Sequence, residues 1–183
     1  MAKRCNKPSV PSFIMGNDNC LTNKTDKLAA LVRTFRESSL LCLSETWLTQ
    51  NTPDANVDVP GFTTVRADRN RHSGKCKGVG LALFIQIRWC NPGHVTVKET
   101  ECNRDIELLA VGLRPYYMPR EFFHAIVVCV YIPPRAHVKT ACGVIHSTVS
   151  RLQTKHQDAF IALSLGILIT SHWTPHYQTF TSL

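Results

Sequence analysis

The chain has 183 residues, of which 44% are hydrophobic and 19% are charged, so it is long and apolar enough for one globular domain and does not have the composition of a disordered chain. It carries 21 Lys and Arg against 13 Asp and Glu, a formal charge of +8. That excess favours a polyanionic partner, nucleic acid first and an acidic membrane surface second, although a merely basic protein would show it too. No obligate protein partner is evident.

Apolar runs of strand character dominate the chain, and two helical patterns lie among them. Strands are predicted over residues 12–16, 40–44, 62–66, 78–87, 95–99, 106–113 and 125–132, and a final apolar run begins at Phe160. One helix is predicted after an N-cap at Asn23, with Leu28 and Phe35 on its apolar face, and a second over 141–152. This arrangement predicts a layered α/β or α+β sandwich instead of a helical bundle.

The 8 cysteines show neither a C-x-x-C pair nor a histidine pair at zinc-finger spacing, so no zinc site is expected. Cys42 and Cys129 lie inside apolar runs and are predicted to be small core residues. The pattern indicates a reducing compartment. The longest apolar run, 159–169, is too short to span a bilayer, and the basic N-terminus does not lead into a signal peptide. We therefore expect no membrane association.

Three polar residues share one sequence context, because each stands at or just beyond the end of an apolar strand. Asn17 follows the first strand, Glu45 follows the second, and Tyr131 lies near the end of the strand that Pro133 stops. Strand ends that meet at one edge of a sheet make an active-site rim, where a carboxylate can hold Mg²⁺ and a phenol can steady a phosphoryl oxygen. Each residue alone fits a blander interpretation: a solvated loop acid, a turn asparagine or a packed tyrosine.

Together these segments resemble a known family. The sequence 15–21 (Met-Gly-Asn-Asp-Asn-Cys-Leu), the sequence 44–48 (Ser-Glu-Thr-Trp-Leu) and the sequence 130–134 (Val-Tyr-Ile-Pro-Pro) are similar to the endonuclease/exonuclease/phosphatase superfamily. The most similar branch is the apurinic-type endonuclease domain of LINE-like (non-LTR) retrotransposons. Supporting stretches lie at 61–69, 77–82 and 107–111, and the resemblance covers residues 12–164.

The resemblance implies a fold, a reaction and roles for the three residues. The fold is a four-layer α/β/β/α sandwich of the DNase I-like type. The reaction is Mg²⁺-dependent phosphodiester cleavage that nicks DNA in the nucleus before reverse transcription. Glu45 would be the metal ligand, Asn17 would support the metal and the phosphate, and Tyr131 would contact the scissile phosphate.

The same family pattern is incomplete at the C-terminal end of the chain. Relatives carry a Gly-Asp-Phe-Asn strand end and, later, a Ser-Asp-His motif, whereas this chain reads Ser-Leu-Gly-Ile-Leu-Ile-Thr over 164–170. One permitted coding of this stretch gives Gly-Asp-Phe-Asn-His in a shifted reading frame. We therefore divide the chain into a basic extension (1–11), a partial endonuclease domain (12–164) and a divergent tail (165–183), for which a shifted reading frame and true divergence both stay open. We expect the fold to be incomplete there and the enzyme to be inactive.

A basic stretch follows the third predicted strand. Its members are Arg66, Arg69, Arg71, Lys75 and Lys77. They fit salt-sensitive contacts to DNA phosphates or, equally well, a solvated loop. Three functions thus stay open: a Mg²⁺-dependent DNA endonuclease inactive in this chain, a non-catalytic relic or weak nucleic-acid-binding fragment, and a small-molecule or lipid phosphatase of the same superfamily. The basic balance argues against the third.

Overall fold

The computed structural model describes residues 11–17, 20–21, 38–68, 80–167 and 178–180. Its elements, in chain order, are β1 (Phe13–Asn17), β2 (Leu40–Ser44), a 3-10 turn (Asp54–Val57), β3 (Phe62–Ala67), β4 (Leu81–Gln86), β5 (Cys90–Cys102), β6 (Glu107–Pro115), β7 (His124–Ile132), α1 (Val138–Lys155), β8 (Ala159–Ile167) and β9 (Gln178–Phe180).

These strands form two mixed sheets. The first has the order β3-β4-β2-β1-β9, and the second has the order β5-β6-β7-β8. Strands β1 and β2 are parallel, as are β7 and β8, while β2 and β4 are antiparallel. Every residue of β2 is buried, which agrees with the apolar run Leu40–Leu43, because a strand covered on both faces has no polar side.

The main core lies between the two sheets. Cys42 and Leu83 of the first sheet belong to the same buried cluster as Val127 and Cys129 of the second. The Sγ atoms of Cys42 and Cys129 lie 3.4 Å apart, so the two inner faces are in direct contact at this point. Both thiols are free and buried, which confirms the prediction that they are core residues.

The outer face of each sheet is covered in part. Helix α1 packs Ala141 and Leu152 against the second sheet, and Leu48, Val57 and Val59 pack against the first. The sandwich of two facing sheets is the predicted fold and is confirmed. The helix predicted after Asn23, which would complete the fourth layer, lies outside the described residues.

Several element boundaries differ from the predictions. Strand β5 runs over 13 residues instead of five, because an edge strand hydrogen-bonds through its backbone to β6 and needs no buried side chains. Helix α1 begins at Val138, three residues early, since His137 accepts a hydrogen bond from the Thr140 N–H and caps it. Strand β8 runs past Ser164 to Ile167, so residues assigned to the tail take part in the second sheet.

Candidate active site at the end of the two sheets

The parallel pairing of β1 and β2 brings their carboxyl ends to one edge of the first sheet. Asn17, the last residue of β1, stands opposite Ser44, the last residue of β2, and Glu45 follows immediately. In the second sheet Tyr131 lies near the carboxyl end of β7 at the same end of the sandwich. The structure therefore brings together the three residues predicted for the site. Ligands of open α/β sheets bind at such carboxyl edges.

The side chains of Glu45 and Tyr131 meet across the two sheets. The Tyr131 hydroxyl donates a hydrogen bond of 2.6 Å to Oε1 of Glu45. Glu45 is only 7% exposed and Tyr131 is buried, so the contact is shielded from solvent. A glutamate is seldom this buried unless polar groups satisfy it, and an O–H donor to a carboxylate makes one of the stronger protein hydrogen bonds. Glu45 is therefore not a solvated loop acid.

The turn after β2 has an unusual backbone. Glu45 and Trp47 have φ angles of 56° and 55°, in the left-handed region that non-glycine residues avoid. Two hydrogen bonds hold the turn from the β1 side: the Cys20 N–H donates to the Glu45 carbonyl and the Leu21 N–H to the Thr46 carbonyl. Such backbone persists only where its surroundings over-determine it, and it is frequent at functional sites.

Asn17 presents an unsatisfied polar atom to this edge. Among the described residues its buried Oδ1 has no hydrogen-bond partner, and the same holds for Oγ1 of Thr46. A buried carbonyl oxygen without a partner is costly, so its presence in a folded protein calls for an explanation. Carboxylate and amide oxygens are the ligands that Mg²⁺ prefers, and it is commonly held by one or two carboxylates with water and phosphate completing the shell. Glu45 and Asn17 are the described residues that could hold such an ion.

The structure adds one buried carboxylate that the sequence analysis did not identify as a site residue. Glu107 begins β6 directly opposite Tyr131 and is 3% exposed. Its Oε2 accepts a hydrogen bond of 2.9 Å from the Gly80 N–H. A signal was available, because Glu107 falls on the same alternating positions as the apolar Leu109 and Val111. A charge on the core-facing side of a predicted strand indicates a special role.

Strand β8 ends at the same edge. Gly166 is paired with Tyr131, and a Cβ atom at Gly166 would lie 3.0 Å from Oγ of Ser44. The backbone after Gly166 therefore lies beside the end of β2. Ile167 occupies the next position in register, where the resemblance would require the aspartate of Gly-Asp-Phe-Asn. The second family motif, Ser-Asp-His, does not occur in this sequence.

The basic stretch is only partly described, since Arg69, Arg71, Lys75 and Lys77 lie outside the described residues. The guanidinium of Arg66 makes contacts within its own chain. It lies 3.1 Å from the Asp68 carboxylate and 3.3 Å from that of Asp54, and it donates to the Thr52 carbonyl at 2.7 Å. Burial raises the pKa of Asp68, against the opposing effect of Arg66. The role of these residues in DNA binding stays a prediction.

Two further observations concern the described residues as a whole. No group of three or more His, Cys, Asp and Glu side chains in this part of the chain is arranged around a common metal position. No helix in the described ranges has both the length and the apolar character needed to cross a membrane.

Comparison with known proteins gives structural matches alone. No protein-family model matches the chain, and no curated protein matches its sequence. A 3′ phosphatase from Neisseria bound to product DNA hairpin matches with a TM-score of 0.51 and 15% identity over 84% of this chain and 57% of that one. An AP endonuclease from Archaeoglobus fulgidus matches with a TM-score of 0.51 and 12% identity over 84% and 56%.

The catalytic domain of human Nocturnin also matches, with a TM-score of 0.51 and 14% identity over 86% of this chain and 63% of that one. The chain thus spans between 56% and 63% of the length of these three structures. At such identities the likeness concerns the fold. The two facing mixed sheets, with α1 outside the second, are the DNase I-like fold of the endonuclease/exonuclease/phosphatase proteins.

Proposed function

We propose that this chain carries a DNA phosphodiesterase site of the apurinic-type endonuclease kind, as found in LINE-like retrotransposons, which binds Mg²⁺ and DNA phosphate but has lost efficient cleavage. One observation carries the proposal: the buried 2.6 Å hydrogen bond between Tyr131 and Glu45 at the carboxyl edge of both sheets. The sequence segments around these two residues and Asn17 supply the retrotransposon assignment, and the fold is compatible with it.

The roles of the chain's own residues follow from their positions. Glu45 and Asn17 offer two oxygen ligands on adjacent strands. Bound there, Mg²⁺ would neutralise charge on a phosphodiester. Tyr131 holds one carboxylate oxygen of Glu45 and so fixes the direction of the other. A carboxylate held in one orientation loses less entropy when it binds an ion, which favours affinity.

Nucleic acid is the favoured substrate class. The formal charge of +8 attracts a polyanion. Trp47 stands two residues after Glu45 and is 45% exposed, although the residues on either side of it in sequence, Thr46 and Leu48, are buried. An exposed indole beside a phosphate site provides a face on which a base can stack, worth about 1–3 kcal/mol per base. We therefore expect a nucleotide next to the bound phosphate to lie on Trp47.

The proposed loss of cleavage rests on the end of β8. Tyr131 and Gly166 are paired, so the residue after Gly166 comes to the site, and this residue is Ile167. An isoleucine can neither accept a proton from water nor orient one. General acid–base groups contribute about 10²–10⁴-fold each to such reactions. Because no carboxylate stands at this position, the chain is expected to bind DNA but to nick it at close to the background rate.

The test combines binding and cleavage on the same protein. Fluorescence anisotropy with a labelled DNA duplex should give an affinity that falls as salt rises and that increases with Mg²⁺. Glu45→Ala should remove the Mg²⁺ effect, whereas Glu121→Ala, an exposed carboxylate on the β6–β7 loop, should leave it unchanged. Incubation with supercoiled plasmid should produce no more nicked circles than the Glu45→Ala protein does.

The outcomes separate the remaining functions. Robust Mg²⁺-dependent nicking that disappears in Glu45→Ala would overturn the proposed inactivity and leave an active endonuclease. Absence of any salt-dependent DNA binding would overturn the nucleic-acid assignment. Glu45-dependent hydrolysis of a small phosphate monoester without DNA binding would identify a phosphatase instead.

A further inference from the structure

Glu107 is a buried carboxyl group at the end of the sandwich where the site lies. It is 3% exposed and belongs to the inner face of the second sheet, in alternation with buried Leu109 and Val111. Placing a carboxylate among such neighbours is costly unless hydrogen bonds satisfy it. A carboxyl group buried in this place is therefore expected to make a specific contact.

A short chain of hydrogen bonds joins Glu107 to the turn that carries Glu45. The carboxylate Oε2 accepts from the Gly80 N–H at 2.9 Å, and the Gly80 carbonyl accepts from the Thr46 N–H at 3.3 Å. Thr46 is the residue next to Glu45. Only one residue, Gly80, thus separates the carboxylate on the second sheet from the turn on the first.

Gly80 fits this place because it has no side chain. Its φ of 108° is open to glycine and strained for other residues. A Cβ atom there would also lie 2.7 Å from Oγ1 of Thr46. The close approach leaves the Gly80 backbone little freedom to slide against the turn, so a group that fixes Gly80 also fixes Thr46.

We propose that Glu107 is a positioning residue that holds the Glu45 turn in its left-handed conformation through Gly80. Glu107 and Tyr131 are partners in the β6–β7 register. Two neighbouring residues of the second sheet therefore both stabilise the turn that carries Glu45. Tyr131 holds the Glu45 side chain, and Glu107, through Gly80, holds the backbone N–H of the next residue, Thr46. The consequence for Mg²⁺ affinity rests on the proposed function, whereas the consequence for the turn does not.

Amide hydrogen exchange measured by NMR tests the turn directly. Glu107→Leu removes the acceptor, and Glu107→Asp keeps the charge but withdraws the acceptor by one methylene. Both should speed exchange of the Gly80 and Thr46 amides by about ten- to hundred-fold, as expected from losing a hydrogen bond to a charged group. Glu107→Gln retains an acceptor oxygen and should stay within about threefold of the wild type.

Two controls separate positioning from a general loss of stability. Glu101→Leu changes an exposed carboxylate on the neighbouring β5 and should leave both amides unchanged. The amides of Val127 and Val128, central in β7, should exchange equally slowly in every variant. If Glu107→Leu fails to fold, the amide exchange rates of Glu107→Asp decide whether Glu107 positions the turn. Unchanged exchange at Gly80 and Thr46 in that variant would overturn the proposal.

A second readout addresses the metal. Mn²⁺, used as a paramagnetic substitute for Mg²⁺, is titrated into each protein and followed by electron paramagnetic resonance. The dissociation constant for Mn²⁺ should rise at least tenfold in Glu107→Asp. In Glu107→Gln it should stay close to the wild-type value. If the wild type binds no Mn²⁺, the proposed function fails, and the exchange rates alone decide whether Glu107 positions the turn.

Discussion

The hydrogen bond from Tyr131 to Glu45 can be tested by removing one hydroxyl group. Tyr131→Phe keeps the ring that packs between the sheets and deletes the donor 2.6 Å from the carboxylate. Glu45 is 7% exposed, so water replaces the lost donor poorly. Hydrogen bonds to charged groups contribute about 1.5–3 kcal/mol, and removing one partner also leaves the other buried and less satisfied. We therefore expect Tyr131→Phe to lower the free energy of unfolding by about 1.5–3 kcal/mol.

For a chain of this size such a loss corresponds to a fall in Tm of about 3–12 °C, at roughly 2–4 °C per kcal/mol. Urea unfolding followed by circular dichroism gives the free energy directly. Tyr116→Phe is the matched control, because Tyr116 is 51% exposed and its hydroxyl removal should change stability by less than about 0.5 kcal/mol.

A double-mutant cycle with Glu45→Ala, which removes the acceptor, assigns the effect to the pair. A coupling energy of at least about 1 kcal/mol is expected for a buried pair in direct contact. Equal stability of Tyr131→Phe and the wild type, or a coupling energy near zero, would refute the reasoning that these two side chains hold each other.

Two further predictions concern other parts of the sandwich. The hydrogen bond and charge of Arg151 lower the pKa of Glu99, so this pair stabilises the fold above the pKa that Glu99 has in the unfolded chain, and the contribution disappears as the pH falls through the lower folded value. Arg151→Ala should therefore destabilise the protein more at pH 7 than at pH 3 in urea unfolding, and a pH-independent effect would contradict this. The contact with Cys42, together with burial, raises the pKa of the Cys129 thiol well above its usual value, whereas Cys142 is exposed. Peptide mapping after brief iodoacetamide treatment at pH 8 should find Cys142 alkylated long before Cys129, and equal labelling would show that the inner faces are open.

The strands around the site were predictable because their sequences are unambiguous. The apolar run Leu40–Leu43, two residues before Glu45, and another through Tyr131 indicate buried strands whatever their neighbours are. Their convergence could be expected from the tendency of polar residues to follow strand ends. The hydrogen bond between them depends on how the two sheets face each other, which no local pattern contains.

Glu107 shows why part of the site escaped the sequence. A single glutamate at the start of a strand is ordinarily a solvated end residue; its alternation with Leu109 and Val111 indicates the core-facing side, but its position opposite Tyr131 depends on the pairing of β6 with β7. The length of β5 was missed for a related reason, since an exposed edge strand shows no apolar alternation. In both cases long-range pairing overrides the local pattern.

The site edge also has a consequence for how this chain reaches its native state. Glu45 and Tyr131 are 86 residues apart in sequence, and Cys42 and Cys129, just beneath them in the core, are 87 apart. Contacts between such distant segments close large loops and form slowly compared with hairpins such as β6–β7. The phenol and the carboxylate can meet only once the two sheets have docked. Their hydrogen bond is therefore a marker of the completed assembly, and a refolding experiment that follows it would report the docking of the sheets separately from the formation of the strands.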